Sequence, residues 1–135
     1  MKIQGLVQEG EGDASYWLSK YSSVYQLWTG MKLVPGSLNL NLRAAFDWND
    51  SSVEPFKKIY SLIPYGGNRD ICLIPCEIYK AEKEKIYGFA WATTKAANDV
   101  DYRMLEIISA VRLREVLQLD NGVMVTIDIP VPWRG

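Results

Sequence analysis

The chain has 135 residues, 48% of them apolar and 23% charged, with a formal net charge of −1. That length is read as one domain, 1–135, long enough to bury a core, and the charge balance excludes a basic nucleic-acid-binding face. No apolar stretch reaches membrane-spanning length and the N-terminus has no signal-peptide pattern, so a cytoplasmic protein is expected, with no membrane partner.

Lys2 to Val7 reads as a first strand, followed by the loop Gly10-Glu11-Gly12-Asp13-Ala14-Ser15. Tyr16-Trp17-Leu18 then resumes an apolar run. Ser22 to Trp28 has the spacing of a short helix, with Val24, Leu27 and Trp28 on one stripe. Ser22 or Ser23 is expected to cap it, and Gly30 to stop it.

After the Pro35-Gly36 turn, Ser37 to Leu42 reads as a strand. Leu38, Leu40 and Leu42 fall on one face, and Ser37, Asn39 and Asn41 on the other. Three short polar side chains in a row are costly to bury without partners. Their oxygens suit a hard divalent cation such as Mg²⁺.

Asp47 to Ser52 is loop-like, and Pro64 to Asn68 is a turn cluster. Ile71 to Tyr79 and Ile86 to Ala92 read as strands joined by a solvated connection, Lys80 to Lys85. Lys95 to Arg103 is expected as an exposed loop, and Leu105 to Ile108 as a buried strand. Ser109 is the expected N-cap of a helix from Ala110 to Gln118. Asp120-Asn121-Gly122 is a turn, and Val123 to Ile129 a final strand. Many short strands with two short helices predict a β-barrel with helical inserts.

Cys72 and Cys76 lie on one predicted strand, with Cα atoms about 13 Å apart, too far for a disulfide. The chain contains no histidine, which removes Ser-His and Cys-His nucleophile pairs. Acid–base work is left to carboxylates, Lys, Tyr or water.

Three segments could carry chemistry. Gly10-x-Gly12 is either a plain turn or a backbone cradle for phosphate, with Glu11 and Asp13 opposing phosphate unless a cation intervenes. Ser109 to Arg114 is either an anion-binding helix start or an amphipathic helix with exposed arginines. Glu106 interrupts the apolar run 104–108; it faces either solvent by simple alternation or a cavity holding a polyhydroxyl ligand. Most of the five tryptophans and eight tyrosines read as core or rim residues; Trp91, between Ala90 and Ala92, is the one singled out as a candidate to stack on a flat ring.

Taken in order, Val7 to Ser19, Pro35-Gly36-Ser37-Leu38-Asn39-Leu40, Leu105 to Arg114 and Leu119 to Val123 resemble the CTP-dependent riboflavin kinases. The second segment is similar to that family's P-G-T-L-N-L motif, and the third to its L-E-I-I-A-P-V-x-L-R. The resemblance implies a mainly β, six-stranded cradle-loop barrel with short helical inserts. It implies transfer of the γ-phosphoryl group of CTP to the 5′-hydroxyl of riboflavin, giving FMN and CDP. By position, Ser37 and Asn39 would hold Mg²⁺. Gly10, Glu11, Gly12, Asp13, Ala14 and Ser15 would wrap the nucleotide, with Val111, Arg112, Leu113 and Arg114 completing its site. Glu106 and Thr94 would contact the flavin side. Glu106 and Asp13 are the two carboxylates left open as general base. The alternative is a non-catalytic flavin- or nucleotide-binding module of the same fold.

The chain departs from the family pattern at several points. Ser37 replaces a threonine and keeps its hydroxyl. Ala14 stands where a glycine is usual, and positive φ there would strain the loop by about 1 kcal/mol. Ser109-Ala110 replaces A-P. The family's flavin-contacting threonine has Thr94 as its nearest counterpart.

Overall fold

The computed structural model describes every residue except Glu11, Glu82 and Gly135. Among the described residues it contains seven strands and four α-helices, with two short 3-10 turns at Glu54–Phe56 and Ile63–Tyr65: β1 (Lys2–Gln8), α1 (Ala14–Lys20), α2 (Ser22–Thr29), β2 (Leu38–Asn41), β3 (Lys58–Ser61), β4 (Asp70–Tyr79), β5 (Ile86–Thr93), α3 (Thr94–Ala97), β6 (Met104–Ser109), α4 (Leu113–Val116) and β7 (Met124–Asp128).

Six strands close an antiparallel barrel in the order β4-β5-β6-β2-β1-β7, with β7 pairing back onto β4. The mainly β barrel with short helical inserts is therefore as expected. β3 hangs outside the ring on β4. β4 pairs β3 through residues 70–73 and β7 through residues 77–79. Pro75 falls in the gap between these ladders, where its missing N–H breaks no pairing.

Strand alternation divides the core in two. Cys72, Ile74, Cys76, Ile78, Ala90, Ala92, Leu38, Leu40 and Leu42 fill the barrel interior. Ile71, Leu73, Tyr87, Phe89 and Trp91 point outward and are covered by Leu18, Tyr21, Val24 and Tyr25 of the helices. Strands β4 and β5 are thus apolar on both faces, which is why they read as continuous hydrophobic runs. Both cysteines are free and buried, as expected, and burial pushes the Cys76 thiol well above its ordinary range.

Several local expectations are corrected. Tyr16 to Leu18, read only as an apolar run, belongs to helix α1. Ala14, Leu18, Tyr21, Tyr25 and Trp28 recur at helical spacing and all meet the same outer core, which overrides the β preference of the aromatic residues. As α1 runs into α2, Tyr21 occupies the N-cap of α2 and no serine side chain caps it. Gly30 does stop α2, at φ 73°.

Ser109 is no N-cap either. It ends β6 opposite Gly88, and its hydroxyl donates to the Tyr87 carbonyl at 2.8 Å. Sheet pairing consumes that residue, so the helix shrinks from the expected 110–118 to Leu113–Val116. The expected loop 95–103 begins with α3, whose first turn is capped by Thr93 Oγ1 accepting from Ala96 N–H at 3.2 Å. Strand β3 has no counterpart in the sequence reading.

Candidate functional site

Strand β2 lies between β1 and β6, and this sandwiching builds the site. The register sets Asn39 opposite Gln8 on one side and Glu106 on the other. Alternation sends Leu38 and Leu40 into the barrel and turns Asn39 outward, yet Asn39 stays only 8% exposed because the glycine loop after β1 folds over it. Only glycine fits there: a Cβ on Gly10 would stand 2.7 Å from Asn39 Cγ.

Ser37 Oγ donates to Glu106 Oε1 at 3.1 Å. One terminal atom of the Asn39 amide stands 3.1 Å from the same Glu106 oxygen, and the other 3.1 Å from Gly10 N. With nitrogen toward the carboxylate and oxygen toward the N–H, both neighbours are hydrogen-bonded; the reverse orientation satisfies neither. The atom beside Glu106 also lies 3.4 Å from Ser37 Oγ.

These residues line a cleft of about 1010 Å³ between the barrel mouth and helix α1. Gly10, Gly12, Asp13, Ala14 and Ser15 form one rim, and Ser37, Asn39 and Glu106 the floor. Glu11 lies outside the described residues. Arg114 reaches the cleft while donating to the Gln8 carbonyl at 3.1 Å and to Asn121 Oδ1 at 3.0 Å. It ties the end of β1 to the Asp120–Gly122 turn. Val111, Arg112 and Leu113 instead line an adjoining groove of about 120 Å³, which shares Gly36, Ser37 and Arg114 with the main cleft. On the wall at the end of β5 the lining threonine is Thr93; Thr94 is not among the residues that face the cleft.

Ala14 opens α1 with right-handed backbone, and among the described residues of the loop the left-handed one is Gly12, at φ 90°. The strain expected at Ala14 is therefore absent.

Of the far wall, the sequence singled out Trp91 alone. Trp17, Tyr21, Tyr25 and Trp91 line it, with Gly67, Asn68 and Arg69 beyond. Trp91 Nε1 donates to the Tyr25 hydroxyl at 3.0 Å, and burial pushes that hydroxyl's pKa up to about 12. The aromatic count was a signal; their convergence needed the helices in place.

The donor set fits a hard cation. If the Asn39 oxygen takes the position nearer Glu106, the three oxygens of Ser37, Asn39 and Glu106 stand 3.1, 3.1 and 3.4 Å apart. Neighbouring ligands around Mg²⁺ at about 2.1 Å are separated by about 3 Å. Among the described residues no three acidic or cysteine side chains cluster. A hydroxyl, an amide and one carboxylate are oxygen donors of the kind that Mg²⁺ accepts.

A family model named for the CTP-dependent riboflavin kinases, and described as a domain of unknown function, DUF120, matches residues 7–129. A riboflavin kinase of Methanococcoides burtonii is 29% identical over 126 residues, covering 90% of this chain and 54% of the relative. The chain thus spans about half the length of the curated relative it matches.

Proposed function

The chain belongs to the CTP-dependent riboflavin kinase family, and from that premise we propose that it transfers the γ-phosphoryl group of CTP to the 5′-hydroxyl of riboflavin. The observation that carries this reading is the meeting of Ser37, Asn39 and Glu106 beneath a glycine loop, on the floor of a cleft of about 1010 Å³. That volume is at the upper end of sites for one drug-sized ligand, about 300–1,000 Å³, and suits two substrates side by side.

The electrostatics of the cleft support the same reading. Glu9, Asp13 and Glu106 line it against Arg69 and Arg114, so a triphosphate would meet more carboxylates than guanidiniums. Ser37 and Asn39 would hold Mg²⁺, which would supply positive charge to offset those carboxylates. Gly10 and Gly12 to Ser15 line the cleft where phosphate would lie, and Arg114 ties the end of β1 beneath them to Asn121. The groove at Val111 to Leu113 would take the rest of the nucleotide.

The aromatic wall of Trp17, Tyr21, Tyr25 and Trp91 suits the flavin ring, with Thr93 at its edge. The ribityl chain then extends toward Glu106. In the reaction the hydroxyl oxygen bonds to the γ-phosphorus, the bond from that phosphorus to the β-bridging oxygen breaks, CDP leaves, and the hydroxyl proton passes to a carboxylate of the cleft, Glu106 or Asp13. Glu106 accepts the hydroxyl's hydrogen bond and orients it; Asp13, on the loop side, is the second carboxylate within the cleft. Such a transfer needs alignment and charge neutralisation more than covalent help. The choice of CTP over other nucleotides rests on the family.

The test is incubation of the purified chain with riboflavin, CTP and Mg²⁺, followed by chromatographic separation of FMN. Product formation that ATP supports poorly is the expected result. Binding of riboflavin or CTP without FMN would replace the kinase by a non-catalytic binding module.

A further inference from the structure

The Asn39 amide has two mutually exclusive sets of partners. With its oxygen on Gly10 N–H and its nitrogen on Glu106, each at 3.1 Å, every polar group around it is satisfied. Turned by half a revolution, it offers its oxygen beside Glu106 Oε1, an acceptor, and Ser37 Oγ, whose single O–H can reach it at 3.4 Å only by giving up Glu106 at 3.1 Å; a cation between these oxygens would satisfy all three. The same turn sets the amide nitrogen against Gly10 N–H, two donors that cannot bond to one another. Oxygen and NH₂ are nearly equal in shape, and the terminal torsion of Asn is broad and roughly two-fold, so the turn needs no repacking.

We propose that Asn39 is a two-position relay coupling cation capture to the glycine loop. This rests on the kinase reading's metal site. Without a cation, the Asn39 oxygen holds Gly10 N–H and the loop stays closed on β2. When Asn39 turns its oxygen to a divalent cation, Gly10 N–H loses its acceptor and becomes available to a phosphate oxygen. Cation and phosphate then favour each other's binding reciprocally, although they touch different atoms. Glycine at position 10 is what lets the amide and the loop N–H meet, since a Cβ there would stand 3.0 Å or less from each of the three outer amide atoms.

The test is amide hydrogen exchange and ¹⁵N–¹H spectroscopy on the full chain, with Mg²⁺ alone and no nucleotide. Trace Mn²⁺ locates the cation through line broadening. In the wild type, Mg²⁺ is expected to speed exchange at Gly10 about tenfold and to shift the Asn39 side-chain NH₂ signals, a coupling within the usual range. In Asn39→Asp, a carboxylate oxygen can remain on Gly10 N–H while the other meets the cation. Exchange at Gly10 should then change less than about twofold, well below the usual coupling range. Mn²⁺ broadening at Asn39 with unchanged Gly10 exchange in the wild type would overturn the relay and leave the metal site standing. No broadening at Ser37, Asn39 and Glu106 would overturn both. If Asn39→Asp fails to fold, the wild-type measurements decide alone.

Discussion

Asn39 and Glu106 face each other across the β2–β6 ladder, with the amide end 3.1 Å from the carboxylate. Two residues 67 positions apart in the chain thus share one hydrogen-bonded node, and Ser37 joins it at 3.1 Å from the same carboxylate oxygen. Neither the hydroxyl nor the amide contributes to the apolar core, so the node can be dismantled with little loss of packing.

Ser37→Ala and Asn39→Ala are accordingly expected to lower FMN formation at least about a hundredfold, as misplacement of reacting groups does. Stability should change by about 1 kcal/mol or less for Ser37→Ala, with somewhat more for the buried Asn39. Turnover assays beside urea unfolding check this. Wild-type turnover in Asn39→Ala would refute the assignment.

The two loop glycines should respond differently. Gly10→Ala drives a methyl group into Asn39, whereas a Cβ at Gly12 meets nothing within 4 Å. Gly12→Ala then carries only the strain of its φ of 90°, about 1 kcal/mol. Calorimetric titration with CDP and Mg²⁺ is expected to show Gly10→Ala as the more damaging change, by at least about tenfold in affinity, or about 1.4 kcal/mol. Equal losses would contradict the close packing of the loop on Asn39.

The Trp91–Tyr25 hydrogen bond at 3.0 Å is buried beneath the aromatic wall. Tyr25→Phe leaves the indole N–H without that partner and should destabilise by about 1–3 kcal/mol. Because burial raises the Tyr25 pKa from 10.0 to about 12, the folded state keeps this proton after the unfolded chain has lost it. Stability should therefore be flat below pH 10 and fall as pH rises through about 12. Comparing urea unfolding of wild type and Tyr25→Phe between these pH values tests the sign; a variant that falls as steeply would remove Tyr25 as the cause.

At the opposite end of the barrel, Asp128 accepts from Lys85 at 2.8 Å and from Lys2 at 3.1 Å. The Lys85 hydrogen bond is the largest cause holding its carboxyl down at about 2, from an ordinary 3.8. The sign is that of a depressed acid: the contribution is present above the unfolded value and fades as pH falls from about 4 toward 2. Asp128→Asn should flatten that part of the acid unfolding curve, and salt should blunt it in the wild type. An unchanged acid limb in the variant would place the loss elsewhere.

Much of the architecture is legible along the chain because strand alternation and turn chemistry are local. Leu38, Leu40 and Leu42 against Ser37 and Asn39 mark one strand with two faces, and the structure keeps both. The Pro35-Gly36 turn, the Gly30 stop and the two long strands β4 and β5 follow the same logic. The first helix escaped because Tyr16 and Trp17 favour strands locally, while burial against β4 and β5 selects helical spacing. Ser109 failed as a cap because a residue cannot cap a helix while its backbone and hydroxyl are engaged by β5.

The residue types of the proposed site were set by the chain itself: a hydroxyl and an amide on one strand face, a carboxylate within an apolar run, and a glycine pair ahead of them. Which of them meet, and that Gly10 rather than Gly12 must lack a side chain for steric reasons, depended on barrel closure. Side-chain chemistry is encoded residue by residue, but distances of about 3 Å between strands remote in sequence exist only once a cooperative sheet has fixed their register.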